Sequence, residues 1–466
     1  MTALDETRVP WHLRGNYAPV MEEVEAFDLP VVGRLPVELN GRYFRNGANP
    51  KHGPTAHWFA GDGMLHGIRL REGRAEWYRN RWVRTRQLEG ARRIDMEKGT
   101  FDLTVGAANT HVWRHAGRIF ALEEASFPNE VSPELDTLGP CDFDGRLQGP
   151  MTAHPHTCPA TGEMHFFGYE LLRPPYVTYH VADAQGNLVH TQPIDVPGPT
   201  MVHDFAISRH YAIFLDLPVV FDLEMAMTGT MPFGWQPEYG ARIGLLHRDR
   251  ARRGEAPRWF DVPLCYVFHI MNAWDDGADG VEARHVWLDA GRHASMWDGG
   301  PNNFQPSLMW RWRFDLATGE VHEEQLDDVS HAFPRIDERL TGLPNRYGWA
   351  VAPRDGRSRG DDMDAATAIV KYDLQTGDRT VHDLGPAAQS GEPVFVPAHA
   401  GAGEDHGYLV TFVYDKADDM SRFVVLDAAD MSAAPIAEVP LPQRVPHGFH
   451  GSWFADESSV SMCWRR

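Results

Sequence analysis

Long apolar runs are missing from this chain of 466 residues. The most apolar segment, residues 211–221, is interrupted by Asp216 and Pro218. A bilayer-crossing helix needs about 20 consecutive apolar residues, so no span is expected. The opening Met-Thr-Ala-Leu-Asp-Glu-Thr-Arg-Val-Pro has no apolar centre of a signal peptide. Cysteine is scarce: Cys141, Cys158, Cys265 and Cys463, with no C-x-x-C pair. That spacing is no disulfide framework and suits a reducing compartment. The expectation is a cytoplasmic protein. Peripheral membrane contact stays open, because an apolar patch on a folded surface leaves no run in the sequence. Positive charge is in deficit, with 44 Lys and Arg against 65 Asp and Glu and a net charge of -21. Such a field repels phosphate backbones, so no nucleic-acid partner is expected. An apolar substrate is not excluded.

Familiar catalytic motifs are absent too. There is no H-E-x-x-H, no C-x-x-C-H, no G-x-S-x-G and no P-loop. Low-complexity tracts and linkers are also lacking, and Gly and Pro are scattered, so the chain reads as one domain over 1–466. Long helical periods are few. One turn of helix is expected in Ser132-Pro-Glu-Leu-Asp-Thr-Leu138 and another at 361–367.

What recurs is a short apolar or aromatic run, a polar turn with Gly, and a second run. Arg311-Trp-Arg-Phe-Asp-Leu-Ala-Thr-Gly-Glu-Val321 is one instance, and Lys371-Tyr-Asp-Leu-Gln-Thr-Gly-Asp378 nearly copies it. Weaker copies start at Ile68, Trp113 and His180. In Asp-x-x-Thr-Gly the Asp can accept turn amides, and Gly supplies positive φ where the chain reverses. The flanking runs read as antiparallel strands. Many such hairpins suggest an all-β, radially repeated fold, a propeller, with a large sandwich or several small β domains as alternatives. Residues 222–244 break the pattern as an apolar excursion of the kind that forms a lid or pocket wall.

Histidine is plentiful, at 24 residues, and four stand among small or apolar neighbours. They are His154 in Ala-His-Pro, His203 in Val-His-Asp, His269 in Phe-His-Ile and His450 in Phe-His-Gly. Each lies at or near the edge of an expected strand, and the four come from separated regions. We read them as one metal site. An all-imidazole set suits Fe, Cu, Zn or Ni. Neutral ligands leave a dication's charge uncompensated, so carboxylates that accept the outward ring N–H are expected. Glu124 and Glu392, each in apolar surroundings, are the candidates; the plain alternative is a solvated strand-end acid.

At these residues the chain resembles the carotenoid cleavage oxygenase family. The resemblance runs nearly end to end: Tyr43-Phe-Arg-Asn-Gly-Ala-Asn-Pro50, His57-Trp-Phe-Ala-Gly-Asp-Gly-Met-Leu-His66, Ala153-His154-Pro, Val202-His203-Asp204-Phe, Phe268-His269-x-x-Asn-Ala-Trp274, Phe333-Pro-Arg-Ile-Asp337, Glu392-Pro-Val-Phe-Val-Pro397 and Gly448-Phe-His450-Gly. It implies a seven-bladed β-propeller with a loop and helix cap over the active-site face. It implies one non-haem Fe(II) per chain on the four histidines. The implied reaction is O₂-dependent cleavage of a conjugated C=C bond of a carotenoid or apocarotenoid into two carbonyl products. No flavin or nicotinamide is needed, since the substrate supplies the electrons.

Two departures from the family stand out. A third Glu usually precedes Phe-Pro-Arg-Ile, and here that position holds Ala332. Branches that cleave phenolic stilbenes resemble one another in a Lys before Glu124 and a Tyr near Leu88; this chain has Glu123 and Leu88. A stilbene- or phenylpropenoid-cleaving oxygenase is therefore the second reading, and a propeller that binds without turnover is the third. Phe59, Leu88, Glu123, Phe233, Trp235 and Phe304 are the candidate pocket residues. The expected partners are a hydrophobic small molecule and O₂; the oligomeric state is not legible.

Overall fold

A computed structural model describes residues 9–95, 100–228, 231–278, 280–300, 303–354 and 366–456. Cys463 and the expected helical turn at 361–365 lie outside these residues. Two compact units are present: Met1–Cys141 with Leu384–Arg466, and Asp142–Asp383.

The first unit holds three large antiparallel sheets beside a two-stranded one, Ile94–Asp95 with Thr100–Phe101. One of the three runs in the order Glu25–Leu29, Arg74–Trp82, Gly63–Arg71, Gly41–Ala48, Gly451–Ala455. The chain's last described strand thus pairs with one of its first, Tyr43 opposite Trp453. Alternation sends Tyr43 and Phe44 to opposite faces of this sheet. Tyr43 joins Val410, Phe412, Phe423 and Val425 in one core cluster. Phe44 joins Val112, Ile119 and Val131 in another. The second sheet is Thr137–Pro140, Asn129–Val131, Arg118–Leu122, His111–His115. The third is built on Gly407–Asp415, Met420–Asp427 and Ala437–Pro440, with Val394–Pro397 on its edge.

The second unit holds four sheets of four strands each, again antiparallel. Their edge strands are His156–Thr157, Ala206–Ile207, Tyr266–Asp275 and Ala332–Arg335. Strands next to these edges are mostly buried; Met164–Tyr169 and Tyr211–Asp216 are buried throughout. At the opposite edge of its sheet, Asp378–Asp383 is mostly exposed. Packing therefore grades from dry to wet across each sheet. Seven principal sheets, three in one unit and four in the other, make the chain an all-β, seven-bladed propeller.

The expected hairpins form. Asp315 Oδ1 accepts from the backbone N–H of Ala317 at 2.8 Å and of Thr318 at 3.0 Å, and Gly319 adopts φ 83°. The positive φ is what selects glycine there, since a Cβ would meet only the movable end of the Arg258 side chain. Asp373 repeats the device with Gln375, Thr376 and Gly377 at φ 78°. The segment from Ser132 is not helical. It is a tight turn joining Asn129–Val131 to Thr137–Pro140, with Leu135 at φ 71°. Only five residues lie between the strands, and pairing of Val131 with Thr137 closes them into a hairpin turn rather than a helix.

The described residues of the apolar excursion up to Ala241 stand outside the four-stranded sheets, and its last three open the strand Arg242–His247. The excursion carries the helix Leu223–Met227, capped by Asp222, and the strand Phe233–Trp235 paired with Val219–Phe221. Only two α-helices, both short, occur among the described residues. No helix there is long and apolar enough to cross a membrane. Cys141, Cys158 and Cys265 are buried free thiols.

Candidate metal centre

The four histidines occupy matching places. His154 and His203 each stand in the loop just before an edge strand, His156–Thr157 and Ala206–Ile207. His450 immediately precedes the edge strand Gly451–Ala455. His269 lies inside the edge strand Tyr266–Asp275, where pairing shifts register on both sides of Ile270. Such an irregularity re-aims a side chain that regular alternation would place elsewhere.

Within the second unit, His203 Nε2 lies 3.1 Å from His154 Nε2 and 3.3 Å from His269 Nε2. Thr152 Oγ1 accepts from the His154 backbone N–H at 3.1 Å. The Asp204 carboxylate, 3% exposed, accepts from the Phe205 and Ile270 backbone N–H groups, both at 2.8 Å. Its Oδ1 is 3.9 Å from His154 Nδ1 and 3.7 Å from His156 Nε2.

Within the first unit, His450 is pinned through its backbone to Thr110 at 3.1 Å and Asn46 at 3.0 Å. Its Nδ1 is 2.9 Å from Glu392 Oε1, and the other carboxylate oxygen accepts from the Gly451 N–H at 2.8 Å. Glu392 is 1% exposed. An ionised carboxylate can only accept, so Nδ1 carries the proton and the Nε2 lone pair is bare. Arg45 is fully buried nearby; burial lowers its pKa, and Tyr43 and then Glu392 oppose that.

One ligand nitrogen from each of the four histidines fits within a span of 4.8 Å. Among His154, His203 and His269, hydrogen bonding alone is a poor solution: a neutral ring has one N–H, and three Nε2 atoms crowd together. A cation satisfies every lone pair at once. Nitrogens bound to one ion at about 2.0–2.1 Å and at right angles stand roughly 3 Å apart, which is the spacing found. The donor set fits a divalent transition metal.

Aromatic side chains close around the histidines. Phe268 meets His203 edge-on at 5.1 Å between ring centroids, and Phe333 meets His269 at 5.1 Å. Phe333 has φ 52°. A bulky residue in that region is strained, and strain of this kind gathers at functional sites. Behind Phe268 stand Trp297 at 5.8 Å and then Phe304, 6.1 Å from Trp297. Beside His450, Phe449 packs on Trp58 at 4.4 Å and on Phe59 at 5.7 Å.

The other expected residues take varied places. Glu124 is half-buried, just beyond the strand Arg118–Leu122. Glu123 is ion-paired with Arg93, whose Nε also donates to the Val105 carbonyl at 2.9 Å. Leu88 is 5% exposed and packs with Val20, Met64 and Trp82. Phe233 is buried against Phe221, while Trp235 is half-buried. Ala332 is half-buried at the start of its edge strand. Sequence reasoning passed over Trp297 and Arg93, and it met Phe268, Phe333 and Asp204 only as parts of motifs. The available signal for Asp204 was an acid flanked by His203 and Phe205.

Fold and site together define a class: a seven-bladed propeller with four histidines, in or just before edge strands, in a cluster that could hold a metal ion. The sequence model of the RPE65 family, described as Retinal pigment epithelial membrane protein, matches residues 17–455. A carotenoid cleavage oxygenase of Mycobacterium tuberculosis is 40% identical over 95% of this chain and 97% of its own length. Among solved structures, the lignostilbene dioxygenase of Pseudomonas brassicacearum has a TM-score of 0.84 at 29% identity, covering 96% of this chain and 99% of that one. The cobalt-substituted apocarotenoid oxygenase of Synechocystis has a TM-score of 0.81 at 28% identity, covering 94% and 97%. The chain belongs to the RPE65 family, the carotenoid cleavage oxygenases, and is an oxygenase enzyme.

Proposed function

We propose that the chain is a non-haem Fe(II) dioxygenase that cleaves a conjugated C=C bond of a carotenoid or apocarotenoid. The carrying observation is the four-histidine cluster lined by Phe268 and Phe333. Bound at His154, His203, His269 and His450, one iron would supply O₂ activation. Overall, one alkene and one O₂ give two carbonyl fragments; both oxygen atoms enter the products and no external reductant is used.

The protein's own groups prepare this reaction. Glu392 holds His450 in the tautomer whose Nε2 is free to ligate. Phe268 and Phe333 brace the His203 and His269 rings with apolar surface. Glu124 is expected to act on the centre from outside the ligand set. Phe59, Phe233, Trp235 and Phe304 offer apolar surface to a long polyene. One family model runs through both compact units, which supports reading 1–466 as a single propeller domain.

Preference for a polyene over a phenolic stilbene rests on Glu123 and Leu88. A pocket built for a phenol rewards a fixed donor. Leu88 is committed to a packing cluster, and its carbonyl lies 3.0 Å from His52 Nε2. The Glu123 charge is paired with Arg93, so it offers a polyene little unpaired charge, and as an acceptor-only anion it offers a phenol no donor. The relative with lignostilbene activity in its name keeps the second reading alive. A paired measurement of kcat/KM on a β-apocarotenal and on resveratrol or a lignostilbene, with the same iron and O₂, separates the two. Faster apocarotenal cleavage is expected. Faster stilbene cleavage would transfer the assignment to the stilbene-cleaving reading.

A further inference from the structure

Asp204 has more contacts near the histidines than a strand-end acid needs. It follows His203 directly. One oxygen takes the backbone N–H of Ile270, the residue after His269, although the two are 66 positions apart. The other oxygen takes the Phe205 N–H at 2.8 Å and lies 3.9 Å from His154 Nδ1. That last distance is too long for a hydrogen bond, so the influence on His154 is electrostatic. His156, whose Nε2 is 2.7 Å from the Phe205 carbonyl, closes the remaining side at 3.7 Å. Asp204 is 3% exposed, so water screens its charge weakly.

We propose that Asp204 is a positioning residue for the metal centre: it ties the segments bearing His203 and His269 together, faces His154, and lends negative charge to the cation the three histidines hold. The inference rests on the metal-site reading above. Four neutral imidazoles leave a dication's charge uncompensated. A buried carboxylate bonded into two of the ligand segments and facing a third meets that need without occupying a coordination position. Groups that orient and polarise metal ligands from behind commonly change affinity by roughly 10–100-fold when lost.

The test uses the full chain, stripped of metal by chelation and titrated with Co(II). Three readouts are taken: the Co(II) dissociation constant, the visible Co(II) spectrum and the thermal midpoint of the metal-free protein. D204N keeps the shape and an acceptor oxygen but removes the charge. It is expected to weaken Co(II) binding by about tenfold or more and to shift the visible band. D204E restores charge and should recover part of that loss. A merely structural role would make affinity follow the metal-free midpoint instead. D204N binding as tightly as the unaltered chain, or D204E recovering nothing, overturns the proposal. If D204N does not fold, D204E stands alone. Its carboxylate is displaced by one methylene, so weaker binding with a shifted band supports the lock, and an unchanged band and affinity overturn it. Unaltered protein that takes no Co(II) would remove the metal reading itself; normal binding with an indifferent D204N removes only the role of Asp204.

Discussion

Replacing Glu392 by Gln tests how the fourth histidine is held. Glu392 receives two donors, His450 Nδ1 at 2.9 Å and the Gly451 N–H at 2.8 Å. A glutamine of the same shape has one oxygen and one NH₂. If the oxygen faces Gly451, the NH₂ faces His450, and the ring must present a bare Nδ1. The proton then moves to Nε2, which can no longer ligate. If the oxygen faces His450, the Gly451 N–H meets an NH₂ in a site where Glu392 was 1% exposed. A buried donor left unsatisfied costs about 1–3 kcal/mol. The substitution also removes an anion close to the buried Arg45. Metal affinity should fall roughly 10–100-fold, or about 1.4–2.7 kcal/mol, with a lower thermal midpoint. Competition against a chelator of known affinity for Fe(II) or Co(II) measures the first, and a thermal melt of the metal-free protein the second. E392Q with unchanged affinity and midpoint would refute this account of His450.

Acid should destabilise the protein through its buried histidines. Burial pushes His66, His180 and His447 down to about 3, and His57, His293 and His331 down to about 4. Each stays neutral when folded and takes up a proton on unfolding below about 6.5. The unfolded chain therefore binds more protons, and stability falls as pH drops from about 6.5 toward 4. The slope is up to about 1.4 kcal/mol per pH unit for each histidine. Urea midpoints that stay level between pH 7 and pH 5 would contradict this. Ala332→Glu should tighten metal binding by giving the His269 side a further carboxylate, because its neighbour Phe333 already packs on His269. Titration of the metal-free variant with Co(II) checks it, and unchanged affinity would place residue 332 away from that role.

The hairpins were legible because their chemistry is local. An Asp, a Gly two to four residues later and apolar flanks carry the turn and both strands, as at Asp315–Gly319 and Asp373–Gly377. The segment from Ser132 misled because its composition suits a turn of either kind, and only pairing with the flanking strands makes it a hairpin. The histidines showed themselves as polar residues in apolar runs, and Glu392 did the same beside Pro-Val-Phe-Val. Asp204 did not, because its importance lies in a bond to Ile270, 66 residues away. Arg93 was invisible for the same reason: nothing near it in the chain points to Glu123. Leu88 reads as a pocket position from the sequence, and its packing beside Met64 and Trp82 is a tertiary contact that the sequence does not display.

The most direct test of the central claim is iron content beside O₂-dependent cleavage in the unaltered chain and in four single variants, His154→Ala, His203→Ala, His269→Ala and His450→Ala. The account predicts one iron per unaltered chain, together with two carbonyl products from an apocarotenoid. It predicts iron and cleavage lost together in every variant. Full iron occupancy in any two of the four variants would contradict it.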